Sequence, residues 1–194
     1  MYTGDGNGQC PTWTPFLGFM GAASCLVLAN WGAAIGTWRS GIGLCKMGVD
    51  HPHGIVKNLI AIIMAGVLGI FGLIVAIIIG GSVSGPTEEG YTTYSIYNAW
   101  SHLAAGLCCG GTCLAAGYAT GIAGEASIIA VGIRAVGNQR KKGRYAADGF
   151  EGDAARLYIA GVTILSFAGA LGLYGFIVSL IIVSGSGYQC LYNE

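Results

Sequence analysis

Four long apolar stretches decide what this chain can fold into. They run from about residue 15 to 44, 55 to 83, 99 to 133 and 157 to 183. Each exceeds the ~20 helical residues that cross ~30 Å of hydrocarbon. Only 9% of the residues are charged, whereas soluble domains carry about a quarter. The sequence therefore predicts an all-α, multi-pass integral membrane protein with four transmembrane helices.

The basic residues are confined to two of the connections between these stretches. All nine lie at the connection of the first and second stretch or at that of the third and fourth, including the adjoining ends of the stretches: Arg39, Lys46, Lys57, Arg134, Arg140, Lys141, Lys142, Arg144 and Arg156. The two termini and the middle loop carry only acids: Asp5, Glu88, Glu89 and Glu194. Because cytosolic loops are enriched in Lys and Arg, we expect cytosolic basic connections and lumenal termini.

The second half of the chain repeats the first. A shift of 103 residues places the apolar cassette at residues 64–75 on that at 166–178, with Gly66 on Gly169. The first and third stretches align with a shift of 85, so the difference predicts an inserted loop at about 136–153. We expect one membrane domain over residues 1–194, built as two tandem helical hairpins of about 12–83 and 98–186.

Small residues recur at helical spacing in the first and third stretches. Gly32 and Gly36, and likewise Gly117 and Gly121, form small-xxx-small pairs. Such pairs let helix backbones approach closely in lipid. We therefore expect these glycines at a tight helix–helix contact.

Several of these motifs together resemble those of the vacuolar-type proton-ATPase proteolipids, the c-type rotor proteins. They occupy residues 14–24, 32–41 and 114–126 and the two cassettes. The resemblance implies a non-catalytic protomer of a membrane rotor ring that needs no cofactor. It also implies an endomembrane or acidic organelle. The implied partners are other c-type proteolipids, a stator a subunit, a central-stalk d-type subunit and membrane lipid.

One departure from the family pattern bears on function. The glutamate that carries the proton in the family falls on Gly169, and the alternative position on the second helix falls on Gly66. The tyrosine that the resemblance implies beside this carboxyl falls on Phe71, while Tyr174 is present in the surroundings. The expectation is a structural ring member without its own proton-binding carboxylate.

Other readings of the sequence stay open. Glu125 could substitute as a proton carrier, although a structural role is favoured, and a stand-alone pore or assembly protein could use the same scaffold. Cys10 and Cys190 are candidates for a disulfide on the oxidising side. His102 is expected to cap a helix at the membrane interface. No metal site is predicted, since His51 and His53 lack a third ligand. No nucleic-acid partner is predicted either.

Overall fold

The computed structural model describes residues 13–50, 52–84, 94–142 and 153–187. These residues are mostly helical. A 3-10 turn at Pro52–Gly54 connects the first two helices. The α-helices are α1 (Thr14–Asp50), α2 (Ile55–Asn58), α3 (Ile60–Ser82), α4 (Ile96–Lys142) and α5 (Asp153–Gly185).

Four helical segments are long and apolar enough to cross a membrane, which confirms the predicted fold class. They are Thr14–Val49, Ile55–Ser82, Ile96–Val136 and Ala154–Gly185. The second combines α2 and α3, which continue into each other because the amide of Ile63 donates to the carbonyl of Leu59.

Helix α4 is longer than the sequence predicted. It continues to Lys142, so residues 136–142 are helical although they belong to the segment expected to be a loop. Polarity suggested that loop, but Arg, Lys and Gln are good helix formers and this segment contains no proline. The rest of the inserted loop, residues 143–152, lies outside the described residues.

Helices α1 and α4 run in parallel at the centre of the bundle, and α3 and α5 run in the opposite direction. Helix α3 packs against both α1 and α4, whereas α5 packs against α4 and α3. The ends of α1 and α4 and the starts of α2 and α5 carry the basic residues, and we call this side the basic end. The start of α4 and the end of α5 form the opposite end.

The core combines many small side chains with a few larger apolar ones. One cluster combines buried residues of α1, α3 and α4: Cys25, Ala29, Val75, Ile79, Ala105, Cys109 and Cys113, together with Val183 of α5. A second cluster, nearer the basic end, contains Met47, Ala61, Ile128 and Leu165. Small core residues allow the helix axes to lie close together, which positions the surfaces described next.

Candidate functional site at the centre of the outer helices

Gly66 and Gly169, which we expect to align with the carboxyl of the family, lie on outward faces of α3 and α5. A Cβ atom added at Gly66 or at Gly169 would meet no atom within 4 Å. The next glycines of α5 face inward, since a Cβ at Gly172 would lie 3.5 Å from the Cβ of Ala116 on α4. A side chain at residue 169 would therefore project from the protomer rather than into its core.

The aromatic residues around this position lack the arrangement that would support a carboxyl. Phe71 stacks on Phe176, with ring centroids 5.3 Å apart and an interplanar angle of 29°. Phe71 thus ties α3 to α5 by an apolar contact and offers no hydroxyl. Tyr174 does carry a hydroxyl, but its side chain is 60% exposed, and its hydroxyl has no hydrogen-bond partner within the described residues.

Glu125 is the acid that lies deepest among the described helices, and its charge is already balanced. Its Oε1 lies 3.3 Å from Nζ of Lys46, and its Oε2 lies 3.5 Å from Nη1 of Arg39. Both cations belong to α1, so the carboxylate joins α1 to α4 near the basic end. The guanidinium of Arg39 also lies 5.4 Å from the ring centroid of Trp38. This geometry suits a structural ion pair.

Replacing Glu125 by Gln should have a small effect. Arg39 and Lys46 are 42% and 60% exposed, and exposed ion pairs contribute less than about 1 kcal/mol each. We expect a slight loss of thermal stability of the purified protein and unchanged proton pumping per assembled complex. Proton flux into vesicles, normalised to the amount of complex, measures the second effect. A loss of pumping with normal assembly would instead assign Glu125 a role in proton transfer.

The predicted packing glycines lie at a close approach of α1 and α4. A Cβ at Gly32 would lie 2.6 Å from the carbonyl oxygen of Cys113, and a Cβ at Gly117 would overlap the backbone of Gly32. A Cβ at Gly36 would lie 2.9 Å from the carbonyl oxygen of Gly117, and one at Gly121 would lie 3.0 Å from Cα of Gly36. A side chain at any of these positions would meet the facing backbone.

A buried polar network at the opposite end was not predicted from the sequence. The Tyr94 hydroxyl lies 2.5 Å from Nδ1 of His102, and the Nε2 of His102 lies 2.9 Å from Oγ of Ser186. Thr14 Oγ1 donates to the carbonyl of Tyr94 at 3.1 Å. His102 is only 1% exposed, so it does not cap the helix at the interface as predicted. Burial raises the pKa of Tyr94 to about 12.

The cysteines differ in burial: Cys45 is exposed and Cys108 is partly buried. Cys25, Cys109 and Cys113 are fully buried, and they are free thiols. Cys10 and Cys190, the candidates for a disulfide, both lie outside the described residues.

Comparison with known proteins gives the family context of this geometry. Residues 20–79 and 103–182 each match the family of the ATP synthase C subunit, which confirms the predicted tandem repeat. The V-type proton ATPase 16 kDa proteolipid subunit of Chrysotila carterae is 50% identical over 175 residues, or 90% of this chain and 94% of that protein.

Two fungal proteins give similar matches. The V-type proton ATPase c' subunit of Eremothecium gossypii is 43% identical over 93% of this chain and 96% of its own length. The c' subunit of Saccharomyces cerevisiae is 42% identical over 91% of this chain and 92% of its own length. These similarities therefore extend over nearly the whole chain and include both hairpins.

Proposed function

This chain belongs to the V-type proton-ATPase proteolipid family, and we propose that it is a structural subunit of the membrane rotor ring that carries no proton of its own. As a proteolipid it is a non-catalytic, multi-pass membrane subunit of an ATP-driven complex. The observation that carries the proposal is Gly169, whose outward face bears no side chain. Gly66, the alternative position, is equally bare.

The chemistry of transport explains why this absence matters. A ring subunit that carries a proton through lipid needs a group that is neutral when protonated and charged when deprotonated. A charge near the bilayer centre costs at least about 2.5 kcal/mol, so a carboxyl crosses the lipid only with its proton. Neither α3 nor the transmembrane part of α5 contains Asp or Glu. A ring position occupied by this chain therefore passes the stator without exchanging a proton.

The partners and the orientation follow from this role. Pumping needs protons, so other proteolipids with a carboxyl must supply the remaining ring positions, and this chain is a minority component. The stator a subunit and the central-stalk d-type subunit are the further partners of such a ring. The confinement of Lys and Arg to one end supports cytosolic basic connections and lumenal termini, in the membrane of an acidic organelle.

Isolation of the intact complex through a tag on this chain tests the assignment. We expect the chain to co-purify with a stator subunit and with proteolipids whose outer helix contains a glutamate. Cross-linking should place at least one such proteolipid directly beside it. A ring that consists of this chain alone, free of ATPase subunits, would contradict the proposal. Ion conductance by that ring in lipid bilayers would support the alternative of a stand-alone pore.

A further inference from the structure

The network of Thr14, Tyr94, His102 and Ser186 joins parts of the chain that are far apart in sequence. It connects the start of α1, the segment before α4, α4 itself and the residue that follows α5. Tyr94 and His102 are 3% and 1% exposed. Gly18 makes this packing feasible, since a Cβ there would lie 2.8 Å from the Tyr94 hydroxyl. We call these four residues the latch.

The hydrogen bonds define the protonation state of the imidazole. The Ser186 hydroxyl donates to the carbonyl of Val183 at 2.6 Å, so its oxygen is left to accept from Nε2–H of His102. With its proton on Nε2, the ring has a bare Nδ1, which accepts the hydroxyl hydrogen of Tyr94. In this series of hydrogen bonds, from the Tyr94 hydroxyl to the Val183 carbonyl, each donor thus has one acceptor. The neutral tautomer of His102 satisfies the whole network.

A second proton on His102 would break this arrangement. Imidazolium donates from both nitrogens, so Nδ1 could no longer accept from Tyr94. The Tyr94 hydroxyl would have to turn its hydrogen away from the ring. A buried group that loses its partner destabilises the closed structure by its full desolvation cost. Among the described residues, the buried cation would also lack a counter-ion.

No other charged group compensates for that cation among the described residues. The imidazole of His102 contacts two hydroxyls, those of Tyr94 and Ser186, and among the described residues Tyr94 is the titratable group that faces it. Glu125 lies 23 residues further along the same helix, about 35 Å away at 1.5 Å per residue. Because opening would expose the protonated imidazole to water, we expect proton uptake by His102 to accompany opening of the latch.

We infer that the latch is a pH-sensitive device that holds the ends of α1, α4 and α5 together while His102 is neutral and releases them when His102 takes up a proton. Together with the proposed orientation, which places the latch at the lumenal face, this makes the rotor subunit responsive to the acidity that the pump creates. The lumenal end of the subunit loosens as the compartment acidifies.

The pH range follows from linkage. A solvent-exposed imidazole titrates at about pH 6.5. In the closed latch, the Nδ1 lone pair that would take up the second proton already accepts the hydroxyl hydrogen of Tyr94. The closed form is therefore fully favoured above about pH 6.5 and loses stability as the pH falls below it. If only the open latch takes up the proton, the equilibrium constant for opening increases about ten-fold when the pH falls from about 7.5 to about 5.5.

Hydrogen exchange on the full-length chain in lipid nanodiscs measures this opening. After correction for intrinsic exchange rates, we expect the protection factors of the amides of residues 98–105 and 183–186 to fall about ten-fold from the higher to the lower pH. The amides near Glu125 serve as an internal reference and should not change. In His102→Asn, the side-chain oxygen still accepts from Tyr94 but does not titrate, so the pH dependence should vanish.

Three results test the latch, and the third separates it from the proposed orientation. Equal pH dependence in His102→Asn and the unchanged chain would overturn the latch, and so would a protonated His102 detected by nitrogen NMR in a closed latch. In sealed vesicles, acid supplied only to the lumenal side should open the latch. Opening by acid on the cytosolic side alone would instead leave the latch intact and contradict the proposed orientation.

Discussion

Carbodiimide treatment of the intact complex will modify the acid-bearing proteolipids and leave this chain unmodified, whereas the Gly169→Glu variant of this chain will be modified at residue 169. The reagent reacts with protonated carboxyls in lipid, and the transmembrane parts of α3 and α5 have none. A Cβ at residue 169 meets no atom within 4 Å, so the first carbon of the new side chain has space in the protomer. Mass spectrometry of the proteolytic peptides identifies the modified residue.

The same variant should change the stoichiometry of transport. Each copy that gains a carboxyl can add up to one proton per rotation, so the number of protons moved per ATP should rise with the number of converted copies. Gly169→Gln is the matched control, because it fills the same space with a side chain that does not ionise. It should remain unmodified and leave the ratio unchanged. Modification of the unchanged chain at a membrane-embedded residue would refute the idea that it carries no proton.

Gly169→Glu alone should be an imperfect proton carrier. Phe71 contacts Phe176 across the seam between α3 and α5, so this seam offers no hydroxyl to hold the new carboxyl. Adding Phe71→Tyr introduces that hydroxyl at the cost of one apolar stack. The difference between single and double variants then reports how far the aromatic partner contributes.

The length of the apolar stretches made the helices predictable from the sequence, whereas contacts between residues distant in sequence were not predictable. The spacing of Gly32, Gly36, Gly117 and Gly121 predicts a close approach of helix backbones. Two small residues four positions apart lie on the same helix face and leave room for a neighbouring helix. The outward direction of Gly169 depends on how α5 is rotated against α4, which a glycine-rich helix does not reveal.

Polar residues inside the spans were the least predictable part. The sequence predicts an interfacial position for His102, because a single histidine near a helix start forms no pattern from which its burial could be predicted. Its partners Tyr94 and Ser186 are separated from it by 8 and 84 residues, and only the folded bundle brings them together. For the same reason the sequence did not show that Glu125 pairs with two cations of α1.

Two single-methyl substitutions on α4 should have opposite effects on the protein. Gly117→Ala places its new methyl group against the backbone of Gly32 on α1, whereas the Cβ of Gly111→Ala meets no atom within 4 Å. Both changes add the same helix propensity, about 1 kcal/mol in favour of the helix. Only Gly117→Ala must also push the two central helices apart, and overpacking of a tight core costs about 1–3 kcal/mol.

We therefore expect Gly111→Ala to keep or raise the thermal stability of the detergent-solubilised protein, and Gly117→Ala to lower it. Gly117→Val, whose branched side chain cannot turn away from Gly32, should abolish recovery of the folded chain. Thermal unfolding followed by circular dichroism measures the first pair, and the yield of assembled complex measures the third variant. Equal stability of Gly117→Ala and Gly111→Ala would mean that α1 and α4 do not meet through their glycines. The close approach on which the rest of the bundle depends would then be excluded.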